Sequence, residues 1–368
     1  MNSLKKLSGS EMIFKEIGPN GSYRILVINE EKEIESNEIK EKKEKIRSFV
    51  HKWIDLREKF KEMEVTFLPK ALCNVPILSK TFQSRDEVSI PVYVIRPLET
   101  QVPTPGIVHI HGGPQTRDQW DHMLNDARYL ALLGYTSILP QFRGSQGFGE
   151  EHFQGGYRKH MTTVLQDIID AALWAEKQEY IDKKKTVLMG GSYGGFMTPL
   201  ILAHKKEEFS FVGGIAFAGF YDVVKSNQKD SKKYNIEIIS EDLGWGDSKK
   251  KEDREEMYNS SPVNFASKIQ VPLLLMHGAH DDNCLYEQAE WMSSALKKAK
   301  KPHAFVKLKK EGHAIQPETH PFYLALIEHF LHKVLGRKFE PLSFEEKKSK
   351  SKIMSIVRDT TGFFKDFK

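Results

Sequence analysis

From about Val75 onward, short β-prone apolar runs alternate with segments whose apolar residues recur every three or four positions. Residues 78–97 (LSKTFQSRDEVSIPVYVIRP) predict two antiparallel strands around a Ser84-Arg85-Asp86 turn, the second alternating through Ile90, Val92 and Val94. Residues 106–110 predict a buried strand, residues 120–133 a helix and residues 136–139 the next strand. Val164, Ile168, Ala172 and Ala175, shadowed by Leu165, Ile169 and Leu173, mark a helix with one broad apolar face. Residues 186–198 (TVLMGGSYGGFMT) read as strand, sharp turn, helix. The alternation continues through an apolar run at 211–218, a charged, strand-poor insertion at 221–263, strands at 272–277 and 304–308, and helices at 286–297 and 321–335. Strands joined by crossover helices require a mostly parallel sheet covered on both faces. The predicted class is therefore α/β, with ligands expected beyond the carboxyl ends of the strands.

The flanks follow other patterns. Residues 1–75 form an N-terminal extension, with a hairpin expected over residues 14–29 around Pro19-Asn20-Gly21. A Glu- and Lys-dense stretch at 30–64, with Ile46, Val50, Ile54 and Phe60 as its apolar stripe, predicts a long amphipathic helix. Residues 76–336 form the α/β unit, and residues 337–368 a basic tail. In that tail Ile353, Met354, Ile356, Val357, Phe363 and Phe364 predict a packed or frayed terminal helix, with a membrane or subunit contact as the weaker alternative.

Composition narrows the function. A chain of 368 residues with 39% hydrophobic positions can bury a large core. It carries 55 basic and 50 acidic residues, largely intermixed, so its net +5 does not concentrate into a nucleic-acid footprint. No apolar run reaches the roughly 18 residues of a membrane span, and the first residues lack the pattern of a secretory signal. Two cysteines, Cys73 and Cys284, make neither a disulfide framework nor a zinc site. A cytoplasmic protein is expected, and a homo-oligomer is compatible with all of this.

The candidate chemistry sits at the strand ends. Gly190-Gly191-Ser192-Tyr193-Gly194 is a G-x-S-x-G sequence in the strand-turn-helix context that holds a nucleophilic serine above a sheet. Gly190 and Gly194 fall where a Cβ would clash. A serine hydroxyl needs a base, and the base an orienting acid. Following the chain order Ser, acid, His, the candidate acids are Asp281 and Asp282 after the strand at 272–277, and the candidate base is His313 after the strand at 304–308. His277 and His280 are read as shaping the acid's loop. His204 ends the nucleophile helix, and His320, His329 and His332 belong to the last helix or its entry. Two amides are candidates for an oxyanion hole: Tyr193, at the start of the nucleophile helix, and Gly112, in the His111-Gly112-Gly113-Pro114 loop after an early strand.

HGGP, QFRGSQGFG, GGSYGGFMT, HGAHDDN and EGH, in this order, resemble the catalytic domain of the prolyl oligopeptidase family of serine peptidases over residues 82–336. The resemblance implies an α/β-hydrolase fold, with Ser192 as nucleophile, Asp281 as orienting acid and His313 as base. It further implies an oxyanion hole from the Gly112 and Tyr193 amides, and a substrate carbonyl held by Asn283. Members have an apolar, aromatic-lined S1 pocket, for which Tyr193, Phe220 and Tyr221 are candidates; His111 is grouped with these substrate-binding residues. Two departures stand out: Phe142 replaces a tyrosine that many relatives have before Arg-Gly-Ser, and residues 1–75 are too short for the β-propeller usual in the family, whose blades need about 40 residues each. The expected function is peptide-bond hydrolysis of short peptides with no metal or organic cofactor. A carboxylesterase for small acyl esters, or a non-catalytic scaffold, are the alternatives.

Overall fold

Among the described residues, two separate sheets account for the strands. A computed structural model of the chain describes residues 10–17, 23–29, 65–69, 75–97, 102–118, 122–227, 244–316, 319–336 and 353–365. The smaller sheet has three strands, β1 (Ser10–Ile17), β2 (Tyr23–Asn29) and β3 (Val65–Pro69). β1 and β2 pair antiparallel, Ile17 opposite Tyr23, as a hairpin requires, and β3 adds parallel to β2. The helix expected over residues 30–64 and the hairpin's own turn lie outside the described residues.

The larger sheet has nine strands in the order β12-β11-β10-β9-β8-β6-β7-β5-β4. β4 (Ile77–Gln83) and β5 (Ser89–Ile95) form the antiparallel pair read from the sequence. β6 (Thr104–Ile110), β7 (Thr136–Pro140), β8 (Ile181–Gly191), β9 (Gly213–Phe217), β10 (Leu273–Gly278) and β11 (His303–Leu308) run parallel. The helices joining them are α1 (His122–Leu132), α2 (Glu150–Gly155), α3 (Leu165–Glu176), α4 (Tyr193–His204), α5 (Lys251–Asn259), α6 (Glu287–Lys298) and α7 (His320–Leu335). This is the α/β-hydrolase architecture.

Although the central strands are buried throughout, their period of two still sorts them. Val108, Ile110, Leu188, Ala216, Leu273 and Leu275 join one core with residues of α3, α4 and α6. Ile107, Val187, Met189, Ile215, Leu274 and Met276 join the opposite core with α1 and α7. Strand order also fixes where a ligand can bind. After β6 the chain moves to one side for β7 and then crosses back to the other side for β8, so the sheet's switch point lies between the ends of β6 and β8. His111-Gly112-Gly113-Pro114 follows β6 and Ser192 follows β8.

The terminal helix expected from Ile353 to Phe364 is not formed. Met354–Asp359 is instead an edge strand, β12, antiparallel to β11, and the Asp359 carboxylate receives the amides of Thr361, Gly362 and Phe364 in the turn beyond it. Met354 and Phe364 are buried in the core on the α7 side. Pairing with β11 outweighs local helical spacing. Among the described residues no helix is long and apolar enough to cross a membrane.

Arg143 ties the 141–149 loop to the body of the domain. Its backbone amide, Nε and Nη2 bond Asp167 on α3, while Nη1 and the same Nη2 bond Asp86 in the β4–β5 turn at 2.6 and 3.0 Å. Hydrogen bonds from Arg143 and Ser84 hold the Asp86 carboxyl down at about 2. The Asp167 side chain is fully buried, so removing its partner strands a charge. Arg143→Met should therefore lower the unfolding free energy by about 3–5 kcal/mol in urea titrations; a loss below about 1 kcal/mol would show that the pair does not anchor this loop.

Candidate active site

The turn from β8 into α4 is a close fit between backbones. A Cβ on Gly194 would lie 2.0 Å from the Ile110 carbonyl oxygen at the end of β6, and one on Gly195 would lie 2.4 Å from the Phe217 oxygen at the end of β9. A Cβ on Gly190 would meet the Gly194 carbonyl at 2.5 Å. The start of α4 is thus wedged between two strand ends, and only glycine fits. Between these glycines Ser192 adopts φ 55° and ψ −118°, while its amide bonds the Phe217 carbonyl at 2.9 Å. Such left-handed geometry costs energy at a non-glycine residue and persists only when the surroundings enforce it.

Two further loops converge on Ser192. Asp281 follows β10 and His313 follows β11, and the loops are joined by Ala279 N–H to Leu308 O and His280 N–H to Glu311 O, at 2.8 and 2.9 Å. A Cβ on Gly278 would come within 2.1 Å of the Gly312 oxygen, so this glycine lets the loops touch. The buried Glu311 carboxylate receives the Gln316 amide at 2.7 Å and the Thr319 hydroxyl, closing the loop that carries His313. The result is one continuous hydrogen-bond line. His313 Nδ1–H donates to Asp281 Oδ2 at 2.9 Å, and the Ser192 hydroxyl donates to His313 Nε2 at 2.9 Å. The amides of Asn283 and Cys284 donate to Asp281 Oδ1 at 2.9 and 2.8 Å. Burial alone would push the Asp281 carboxyl up. Hydrogen bonds from His277 and His313 overcome this and hold it well below the usual carboxylate range.

Gly112 passes directly beside the serine: a Cβ there would be 3.3 Å from Ser192 Cβ and 3.8 Å from its Oγ. His111 does not face this space, contrary to its grouping with substrate-binding residues. Its ring is buried and stacked on Phe142 at 4.2 Å, with Nδ1–H donating to Gly112 O at 2.7 Å and Nε2 lying 2.8 Å from Ser145 Oγ. It pins the Gly112 carbonyl from below, and Thr116 Oγ donates to the same oxygen. Phe142, in the tyrosine position, thus serves as the platform for His111.

The aromatic candidates form a packed cluster. Phe220 stacks on Phe196 at 4.5 Å, and Trp245 meets both edge-on at 5.5 Å. Tyr193 is buried, its hydroxyl 2.8 Å from His160 Nδ1, and His160 leans on Trp245. Tyr221 is fully buried, with its hydroxyl against Gly219, and Asn283 is exposed beside Asp281. Phe196, His160 and Trp245 escaped the sequence reading. Phe196 carries a detectable signal, one helical turn after Ser192, whereas His160 and Trp245 reach the cluster only through the fold, His160 from a π-helical turn (His160–Val164).

The family model for the prolyl oligopeptidase family matches residues 120–338, more than half of the chain. The chain belongs to the prolyl oligopeptidase family. Among its relatives, dipeptidyl aminopeptidase BIII of Pseudoxanthomonas mexicana is 27% identical over 73% of this chain and 40% of its own length. The rat (Rattus norvegicus) acylamino-acid-releasing enzyme is 27% identical over 65% of this chain and 32% of its own length. A puromycin-hydrolyzing peptidase of Mycobacterium tuberculosis shares the fold with a TM-score of 0.66 at 22% identity, over 75% of this chain and 42% of its own. This prolyl oligopeptidase family chain therefore spans well under half the length of these relatives.

Burial pushes the His109 and His111 imidazoles down to about 4, opposed in part by Asp126 at the first and by the Gly112 carbonyl at the second. The folded protein keeps both neutral where the unfolded chain, with ordinary values near 6.5, binds protons. Stability contributed by each is present above about pH 6.5 and lost as pH falls toward 4, by about 1.4 kcal/mol per pH unit per histidine. Urea midpoints should drop over this window, and His111→Asn, which retains a donor for Gly112 O, should reduce the slope by about one proton. An unchanged slope would show that His111 does not stay neutral.

Proposed function

We propose that this chain is a serine hydrolase that cleaves peptide bonds of short peptides through an acyl-enzyme on Ser192. The observation that carries the reading is the line of 2.9 Å hydrogen bonds from Ser192 Oγ through both nitrogens of His313 to Asp281. In this mechanism Oγ attacks the scissile carbonyl while His313 Nε2 accepts its proton, and His313 then protonates the departing amine. Asp281 keeps the proton of the neutral ring on Nδ1 and offsets the charge that forms. The Gly112 and Tyr193 amides stabilise the oxyanion, aided by the N-terminal end of α4. Water attacks the acyl-enzyme by the same proton path in reverse order.

The closeness of Gly112 to Ser192 supports that oxyanion site, and relatives named as peptidases support an amide substrate. Asn283, exposed beside the acid, is suited to meet a substrate carbonyl. Two cysteines without a disulfide framework favour a reducing, cytoplasmic setting.

Acyl-alanine anilides, short peptides and p-nitrophenyl esters, assayed in parallel, test this reading. Wild type should turn over amides as well as esters, and Ser192→Ala should lower amide hydrolysis by about 10⁴-fold or more. Turnover confined to esters would reject the peptidase reading in favour of a carboxylesterase, and amide hydrolysis surviving in Ser192→Ala would reject the nucleophile.

A further inference from the structure

His277, on β10 just ahead of the acid's loop, is fully buried. The alternation that sends Leu273 and Leu275 toward the core on the α6 side sends His277 to the same face. There its Nε2 lies 2.7 Å from the Cys284 carbonyl and 3.2 Å from Asp281 Oδ2. Its Nδ1 meets no hydrogen-bond partner among the described residues. A ring protonated on Nε2 satisfies this pattern, its N–H donating to the Cys284 carbonyl with Asp281 Oδ2 only 3.2 Å from the same nitrogen.

Two imidazoles therefore address one carboxylate oxygen, His313 Nδ1 at 2.9 Å and His277 Nε2 at 3.2 Å. We propose that His277 is a positioning residue for the acyl transfer, holding both the Asp281 carboxylate and the turn that carries it so that Oδ2 stays in line with His313. This proposal rests on the reading of Ser192, His313 and Asp281 given above. Core filling alone would favour an apolar side chain, since burying an imidazole has a desolvation cost that only its hydrogen bonds offset. The Asn283 and Cys284 amides take Oδ1, so among the described residues His277 and His313 are the groups that address Oδ2. The Tyr286 ring meets His277 edge-on at 6.1 Å, the Lys307 ammonium on β11 lies over Tyr286 at 4.6 Å, and the buried Tyr221 hydroxyl lies in the field of Asp281.

Two consequences follow from losing this donor. With Oδ1 still held by the Asn283 and Cys284 amides, Oδ2 is left to His313 alone and the carboxylate can tilt, and a misaligned orienting group lowers turnover. More of its charge also acts on His313, stabilising the imidazolium and moving the acid limb of the kcat/KM profile to higher pH.

Glutamine can place an amide nitrogen where Nε2 lies, whereas asparagine falls one bond short. His277→Asn should lose about 10- to 100-fold in kcat with KM within about twofold and its acid limb displaced upward, and His277→Gln should recover kcat to within about threefold of wild type. Equal kcat and equal acid limbs in the two folded variants would overturn the proposal. Should neither fold, ¹⁵N resonances of the wild-type ring decide: a bare Nδ1 and protonated Nε2 on His277 support it, and the other tautomer overturns it. Failure of the underlying reading looks different, as hydrolysis that survives in Ser192→Ala.

Discussion

Backbone contact at the head of α4 is the constraint on which the site depends. Gly194 lies so close to the Ile110 carbonyl, and Gly195 to the Phe217 carbonyl, that the helix must begin between the ends of β6 and β9. That placement forces Ser192 into φ 55° and lifts its side chain beyond the sheet edge. It also brings the serine beside Gly112, because β6 is the neighbour of β8 at the switch point. One packing solution thus exposes the hydroxyl, sets the helix terminus under it and positions a loop amide across from it.

Around this turn, buried polar groups do the aligning and aromatic rings fill the volume. His111 pins Gly112 from below, Glu311 closes the His313 loop and His277 reaches the acid, each with its side chain inside the protein. Arg143 fastens the intervening loop to α3 and to the β4–β5 turn. Such groups have a desolvation cost that their hydrogen bonds offset. Phe196 packs against Phe220, Trp245 and Tyr193 in one buried aromatic cluster.

Much of this is legible in the sequence. The strand and helix alternation survives in apolar period, and Ser192, His313 and the pair Asp281 and Asp282 each sit just after a readable strand, so chain order and placement nominate them and the family resemblance singles out Asp281. What sequence could not carry are partnerships set by tertiary contact. The strand β12 has the spacing of a helix and becomes a strand because β11 offers it a free edge. His111 occupies a motif that suggests substrate contact, yet its ring faces Phe142 and Ser145, a choice made by burial. His160 and Trp245 belong to segments distant from the serine in sequence, and no local pattern announces that they support Tyr193.

The central claim is that the fold makes the hydroxyl of Ser192 nucleophilic by joining it to His313. Treating the native protein with a fluorophosphonate and mapping the adduct by peptide mass spectrometry tests this most directly. The account predicts stoichiometric phosphonylation at Ser192, lost in unfolded protein and strongly slowed in His313→Ala. A native, folded protein that stays unlabelled at Ser192, or labels as fast without His313, would contradict it.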